Sequence, residues 1–148
     1  LAQSIGPAEI SEHLLTSGQK AAQKLAEEMD LIGLLALETF ITKDGVLLFN
    51  EMAPRPHNSF HWTIEGCATS QFTQLVRCLA GMPFGSTQSY GHWQMDNLLG
   101  EDIERLDQLA SVAGLHIHLY GKTSAKNSRK MGHTNRQIKC TRTNALSV

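Results

Sequence analysis

Between Ala8 and about Asp30 the apolar residues Ile10, Leu14, Leu15, Ala21, Ala22, Leu25 and Met29 recur at three- and four-residue intervals. This is the spacing of one helical face, and Pro7 suits the first turn. Gly18 inside that helix costs roughly 1 kcal/mol relative to Ala. Leu34 to Ile41 is then almost continuously apolar, Lys43-Asp44-Gly45 is a turn signal, and Val46 to Phe49 is apolar and β-prone. Together they predict a hairpin of two largely buried strands. Periodicity stops from Glu51 to Gly66, where two prolines stiffen a polar loop. Ser70 caps a second helix through Phe72, Leu75, Val76 and Leu79, which ends at Gly81 before Pro83. Further on, Trp93 to Leu99 reads as a strand and Glu101 to Val112 as a helix. Leu115 to Tyr120 reads as a strand with Leu115, Ile117 and Leu119 on one face, and Gln137 to Val148 has no clear period. Pro83 to Ser89, rich in small and turn residues, marks a boundary. The predicted fold class is α/β (α+β), with one unit over 1–85 and a small mixed α/β unit over 86–148.

Composition narrows the class. A chain of 148 residues with 41% hydrophobic content can bury a core. No apolar run approaches 18 residues, and the start Leu1-Ala2-Gln3-Ser4 has neither the basic nor the apolar part of a signal peptide. A cytoplasmic protein with no membrane partner is the expectation. A start at Leu rather than Met, close to a helix, reads as an internal position of a longer chain. Thirteen basic against fourteen acidic side chains leave a net charge of -1, so no global field favours nucleic acid, and any anion binding is local. Three widely spaced cysteines, Cys67, Cys78 and Cys140, form neither a disulfide framework nor a metal-binding pair, and read as reduced structural thiols.

Two acids stand out in the hairpin. If Asp44-Gly45 is a two-residue loop, Lys43 faces Val46, and a constant register sum brings Glu38 opposite Glu51. Like charges in that position repel unless something neutralises them, and oxygen ligands of this kind suit Mg²⁺. An extra residue in the turn would instead shift the register and place the acids on opposite faces. Asn50-Glu51-Met52-Ala53-Pro54-Arg55-Pro56-His57-Asn58-Ser59 follows, and its prolines would hold Arg55, His57, Asn58 and Ser59 in a fixed geometry. Arg55 offers a fork to carboxylate or phosphate and His57 can move a proton near neutrality. A solvated surface loop is the alternative.

Other candidates are weaker. His57, His61 and Glu65 stand four apart, but Pro54 and Pro56 disfavour the helix that a zinc pair needs. His116 and His118 alternate along a strand and read as structural residues of its polar, partly exposed face, and Trp62 and Trp93 as packing residues. Lys122, Lys126, Arg129 and Lys130 form a basic run with no acid between them. The run is either a solvated loop or a site at which Lys122 and Arg129-Lys130 converge on one phosphate.

Two of these segments carry a resemblance. Asn50 to Ser59, with His61-Trp62-Thr63-Ile64 and Ser70-Gln71-Phe72, resembles a signature of the N5-carboxyaminoimidazole ribonucleotide synthetases, ATP-grasp enzymes of purine biosynthesis. Tyr120-Gly121-Lys122 and Arg129-Lys130-Met131-Gly132-His133 resemble the family's second signature. The likeness covers roughly Ala8 to Asn135 and only the C-terminal part of such enzymes: the second half of an ATP-grasp domain and a small C-terminal domain. It implies ATP-driven carboxylation of 5-aminoimidazole ribonucleotide by bicarbonate through carboxyphosphate, in a homodimer. Glu38 and Glu51 would then hold Mg²⁺ on the ATP phosphates, with Asn50 beside the nucleotide. Arg55 and His57 would act at the bicarbonate and the attacking amine. Asn58 and Ser59 would line the ribonucleotide pocket, and Lys122 and Arg129 would hold its 5′-phosphate. Phe60 replaces the family's usual Gly, a departure expected to crowd or shift the loop. Asn127-Ser128 replaces Pro-Gly, and the tail after Asn135 is unfamiliar.

Two competing readings stay open at this level. One is an ATP-grasp carboxylase for a different acceptor, against which the Lys122 and Arg129 motif argues. The other is a binding module that kept the ribonucleotide pocket without catalysis.

Overall fold

The computed structural model describes residues 1–123 and 129–139. Lys126, Asn127, Ser128, Cys140 and the tail beyond it, all part of the expectations above, lie outside the described residues. The order of elements departs from the sequence reading at its start. Strand β1, Gln3–Gly6, comes first, and the helix begins only at Ser11, whose Oγ accepts from the Leu14 N–H. Helix α1 therefore runs Glu12–Glu28, later than the apolar spacing suggests, because its cap and not Pro7 sets the first turn.

The hairpin forms as expected from strands β2, Ala36–Ile41, and β3, Leu47–Ala53. Its turn is longer than a two-residue loop. Thr42 donates to Val46 O at 2.9 Å and accepts at Oγ1 from Val46 N–H at 3.0 Å, so Lys43 does not face Val46. Gly45 closes this three-residue loop at φ +74°, a left-handed conformation that favours glycine. Burial is confined to the open end of the hairpin, at Ala36 and Ala53, while Phe40 and Phe49 near the turn are 61% and 66% exposed. The two strands are thus less buried than their composition predicts, because α1 covers only part of one face and lines a groove with Leu37, Ile41 and Leu47.

The segment expected to be loop is partly ordered into short helices. A 3₁₀ turn spans Asn58–Phe60, α2 spans Thr63–Gly66, and α3 spans Gln71–Leu79 with Ser70 as its cap. Strand β4 is His92–Leu99. The predicted helix after it is split into a 3₁₀ segment, Gly100–Arg105, and α4, Leu106–Ala110; the Asp102 carboxylate accepts from Leu99 N–H and tightens the entry. Strand β5 is Leu115–Leu119, and a strand the sequence did not announce, β6, covers Lys130–Ile138.

These strands make one antiparallel sheet in the order β1-β4-β6-β5. The first strand of the chain thus lies against the second region, across the expected 85/86 boundary. The core sits between this sheet and the short helices: Trp62, Trp93 and fully buried Met95, with Cys67 packed on them. Both tryptophans are packing residues, as expected. Gly6 is dictated by the same contact, since a Cβ there would come 2.1 Å from the Trp62 ring. Cys67 and Cys78 are free thiols, and burial pushes the Cys67 thiol up. Among the described residues no helix is long and apolar enough to cross a membrane.

Candidate active site

Glu38 and Glu51 face each other across β2 and β3, by a route other than the one spacing suggests. Near the turn the register pairs Ile41 with Leu47 and Thr39 with Phe49; this would bring Asn50 opposite Glu38. A bulge between Glu38 and Thr39 leaves Asn50 as the extra residue and hands the place to Glu51. Both alternatives weighed from the sequence are therefore partly realised: the turn does carry an extra residue, and the acids still meet. Asn50 is not idle there, since its Nδ2 donates to Glu38 Oε2 at 3.3 Å.

His57 lies between the acids. Its Nε2 is 3.0 Å from Glu51 Oε1 and its Nδ1 is 3.3 Å from Glu38 Oε1, while Ser59 Oγ lies 2.8 Å from Nδ1. The side chain is nearly buried, and three potential ligand atoms, one each from Glu38, Glu51 and His57, lie within 4.8 Å of one another. Two carboxylates directly opposed need a positive partner, and their hard oxygens match Mg²⁺ better than softer ions. The donor set therefore fits the expected cation, with the imidazole as a further neighbour. His57 also differs from expectation in having a built support. The Gln71 side chain accepts from His57 N–H at 2.9 Å and donates to His57 C=O at 2.9 Å, so one amide holds both sides of the His57 backbone.

The remaining loop residues have separate surroundings. Arg55 is exposed, donates from Nη1 to Pro56 O at 3.0 Å, and borders a cavity of about 290 Å³ with Leu34, Ala36, Phe60 and Gln71. Asn58 forms a reciprocal amide pair with Asn97 of β4, at 2.9 and 2.7 Å. Ser59 accepts at its carbonyl from Ser4 Oγ of β1. Phe60 does not crowd the loop: the residue is 44% exposed and its carbonyl accepts from Thr63 Oγ1 at 2.6 Å.

Lys122 and Arg129 are both exposed. Lys122 Nζ donates to Lys130 O and lies 5.4 Å from the centre of the Tyr120 ring; Arg129 O accepts from Gly100 N–H. The two ends of the basic run are thus brought near each other, with Lys130 already the first residue of β6.

The zinc alternative is not assembled. His61 Nδ1 accepts from Gln71 Nε2 at 2.8 Å, whereas Glu65 meets His118 Nε2 at 2.7 Å and Asn135 Nδ2 at 2.6 Å. His118 is half-buried in an ion-pairing contact, and His116 lies exposed beside Trp93. The resulting cluster has no signature in residue spacing. His133 stacks on His118 at 4.6 Å between ring centres, lies 4.8 Å from His61, and has Tyr120 Oη 2.9 Å from its Nδ1. Burial, followed by the neighbouring imidazoles, lowers His133 to about 3. Burial, then His57, Lys130 and His118, lowers His61 to about 4. Burial raises Tyr120 against the opposing effect of a hydrogen bond from Asn58. Gln71 and Asn97 were not singled out from the sequence: Gln71 opens a helix and Asn97 follows Gln94 and Asp96 in its strand, so only the fold shows that their amides are enclosed and must find partners.

Residues 1–72 match the ATP-grasp domain family and residues 94–139 match the phosphoribosylaminoimidazole carboxylase C-terminal domain family. The N5-carboxyaminoimidazole ribonucleotide synthase of Brucella melitensis is 46% identical over 136 residues, which cover 92% of this chain and 38% of that protein. The chain belongs to the N5-carboxyaminoimidazole ribonucleotide synthase family. An N5-carboxyaminoimidazole ribonucleotide synthetase solved as its ADP complex superposes with a TM-score of 0.88 at 47% identity, over 93% of this chain and 37% of that one. An Aspergillus clavatus synthase solved with ADP and 5-aminoimidazole ribonucleotide gives 0.85 at 31% identity, over 93% and 39% of the two chains. The expected fold class, a later portion of an ATP-grasp domain joined to the synthase family's C-terminal domain, is borne out. The chain spans about 38% of the length of its Brucella relative, and what synthase-family proteins do as whole enzymes bears on it only through that portion.

Proposed function

We propose that this segment forms the metal-binding and ribonucleotide-binding side of an ATP-grasp ligase that carboxylates 5-aminoimidazole ribonucleotide with bicarbonate at the expense of ATP. The observation that carries the reading is the junction of Glu38, Glu51 and His57 at the head of the loop that continues through Asn58 and Ser59. The naming of ADP and 5-aminoimidazole ribonucleotide as ligands of a structural relative supports the choice of substrates.

In this reading Glu38 and Glu51 hold Mg²⁺, whose charge when bound would offset that of the nucleotide phosphates as a phosphoryl group moves to bicarbonate. Asn50 sets the Glu38 carboxylate and borders the nucleotide. Arg55 holds the one-carbon group through its guanidinium fork, and His57, fixed by Gln71, orients it or takes a proton from the attacking amine. Asn58 and Ser59 form the wall toward the ribonucleotide, and Lys122 and Arg129 bind its phosphate. The family-length enzyme is a cytoplasmic homodimer, and the 148 residues alone do not turn over ATP.

The test uses the family-length enzyme carrying this segment, supplied with ATP, Mg²⁺ and ¹³C-bicarbonate. Phosphate release that requires 5-aminoimidazole ribonucleotide, together with a ¹³C-carbamate signal on that amine, is the expected result. Equal phosphate release with another amine would point to a different carboxylase. Ribonucleotide binding without any turnover would point to a binding module.

A further inference from the structure

We propose that Asn97, a residue of the C-terminal sheet outside the ligand loop, is a positioning residue for ribonucleotide binding and acts through Asn58. The inference rests on the function proposed above and adds a residue to it. Asn97 is 8% exposed in the middle of β4, where an unpaired amide would be costly, yet every polar group of its side chain is used. Its Oδ1 accepts from Asn58 Nδ2 at 2.9 Å, and its Nδ2 donates to Asn58 Oδ1 at 2.7 Å and to Leu1 O at 2.9 Å. A reciprocal amide pair fixes both the distance and the rotation of its partner, which a single hydrogen bond does not.

Asn58 is a hub. Besides pairing with Asn97 it acts on the Tyr120 hydroxyl, opposing the upward push of burial, and that hydroxyl meets His133 Nδ1 at 2.9 Å. Lys122, two residues beyond Tyr120, lies over the Tyr120 ring. The loop after the carboxylates and the start of the proposed phosphate grip are therefore registered against one another through Asn58, and Asn97 holds Asn58 from the sheet. His57 is secured independently, by Gln71 from α3 and by the two carboxylates. Loss of Asn97 should thus loosen the ribonucleotide side and leave the nucleotide side intact.

Steady-state kinetics of Asn97→Ala in the family-length enzyme test this, with each substrate varied in turn. The KM for 5-aminoimidazole ribonucleotide should rise about tenfold, the equivalent of a lost buried hydrogen-bonded pair, while kcat and the KM for ATP change less than about twofold. Asn58→Ala should show a similar rise, and the double variant should be no worse than Asn58→Ala, because Asn97 has no other route to the substrate. Asn97→Ser, which is too short to bridge to Asn58, gives the same test if the alanine variant does not fold. An unchanged ribonucleotide KM in an active Asn97 variant overturns the inference and leaves the proposed function standing. So does a rise in the double variant equal to the product of the single effects. A wild-type enzyme without ribonucleotide-dependent turnover overturns the proposed function, and this inference with it.

Discussion

Glu38 and Glu51 stand opposite each other only because Asn50, the bulged residue beside them, makes up for the extra residue in the Lys43-Asp44-Gly45 turn. The bulge also brings Asn50 Nδ2 onto Glu38, so the residue that corrects the register also orients one of the acids. Bulges commonly re-aim side chains at functional sites, and this one aims a carboxylate at a carboxylate. Such a contact is stable only with a cationic or hydrogen-bonding partner, the place that His57 takes here.

Charge at this pair should matter more than shape. Glu51→Gln in the family-length enzyme keeps the volume and removes a negative charge from the proposed Mg²⁺ site, and kcat should fall about two orders of magnitude or more. Rate measurements over a Mg²⁺ titration check this. Wild-type turnover at ordinary Mg²⁺ would sink the metal assignment.

The two arginines should separate kinetically. Arg129→Ala removes a contact to a phosphate that does not react, so the KM for 5-aminoimidazole ribonucleotide should rise by the equivalent of about 1.5 to 3 kcal/mol with kcat little changed. Arg55→Ala, proposed to act at the transferred group, should depress kcat instead. Varying each substrate in turn distinguishes the two, and an Arg129→Ala effect confined to the KM for ATP would assign the basic run to the nucleotide.

The imidazole cluster predicts acid sensitivity. His61 and His133 are lowered to about 4 and about 3 in the folded chain, against an ordinary 6.5, so the unfolded chain binds more protons between those values. Stability should therefore be complete above about pH 6.5 and fall as the pH drops toward 4 and then 3. Thermal unfolding followed across that range checks the sign. His133→Asn should flatten the slope, and a slope unaltered by that change would remove His133 as a source.

Gly18 offers a stabilising change. It lies inside α1 without a positive φ, and a Cβ there would meet Leu47 Cδ1 at 3.7 Å, an ordinary contact. Gly18→Ala should add roughly 0.5 to 1 kcal/mol through helix propensity and a less flexible unfolded chain. A lower melting temperature by circular dichroism would show that α1 does not tolerate the methyl group.

Local order was legible along the chain because it depends on neighbours in sequence. The apolar period of α1, the Ser70 cap of α3, the turn signal before β3 and the alternation in β5 all act within a few residues. So did the concentration of acids, Arg55 and His57 around two prolines, and the paired signatures that marked the family. Strands β1 and β6 could not be read this way. Gln3–Gly6 is a strand because β4 offers it an edge, and the buried middle of Lys130–Ile138 is Gly, His, Thr and Asn, with no apolar alternation to announce it. Those polar side chains can be buried only where partners elsewhere in the chain meet them, Glu65 for Asn135 and Tyr120 for His133, and the same holds for Asn97 of β4 with Asn58. The sequence by itself determined which residues are present and which short segments order themselves. Tertiary structure alone decided which buried polar groups find one another, because such pairings join residues 13 to 70 positions apart and their energy exists only once the sheet has closed over the loop.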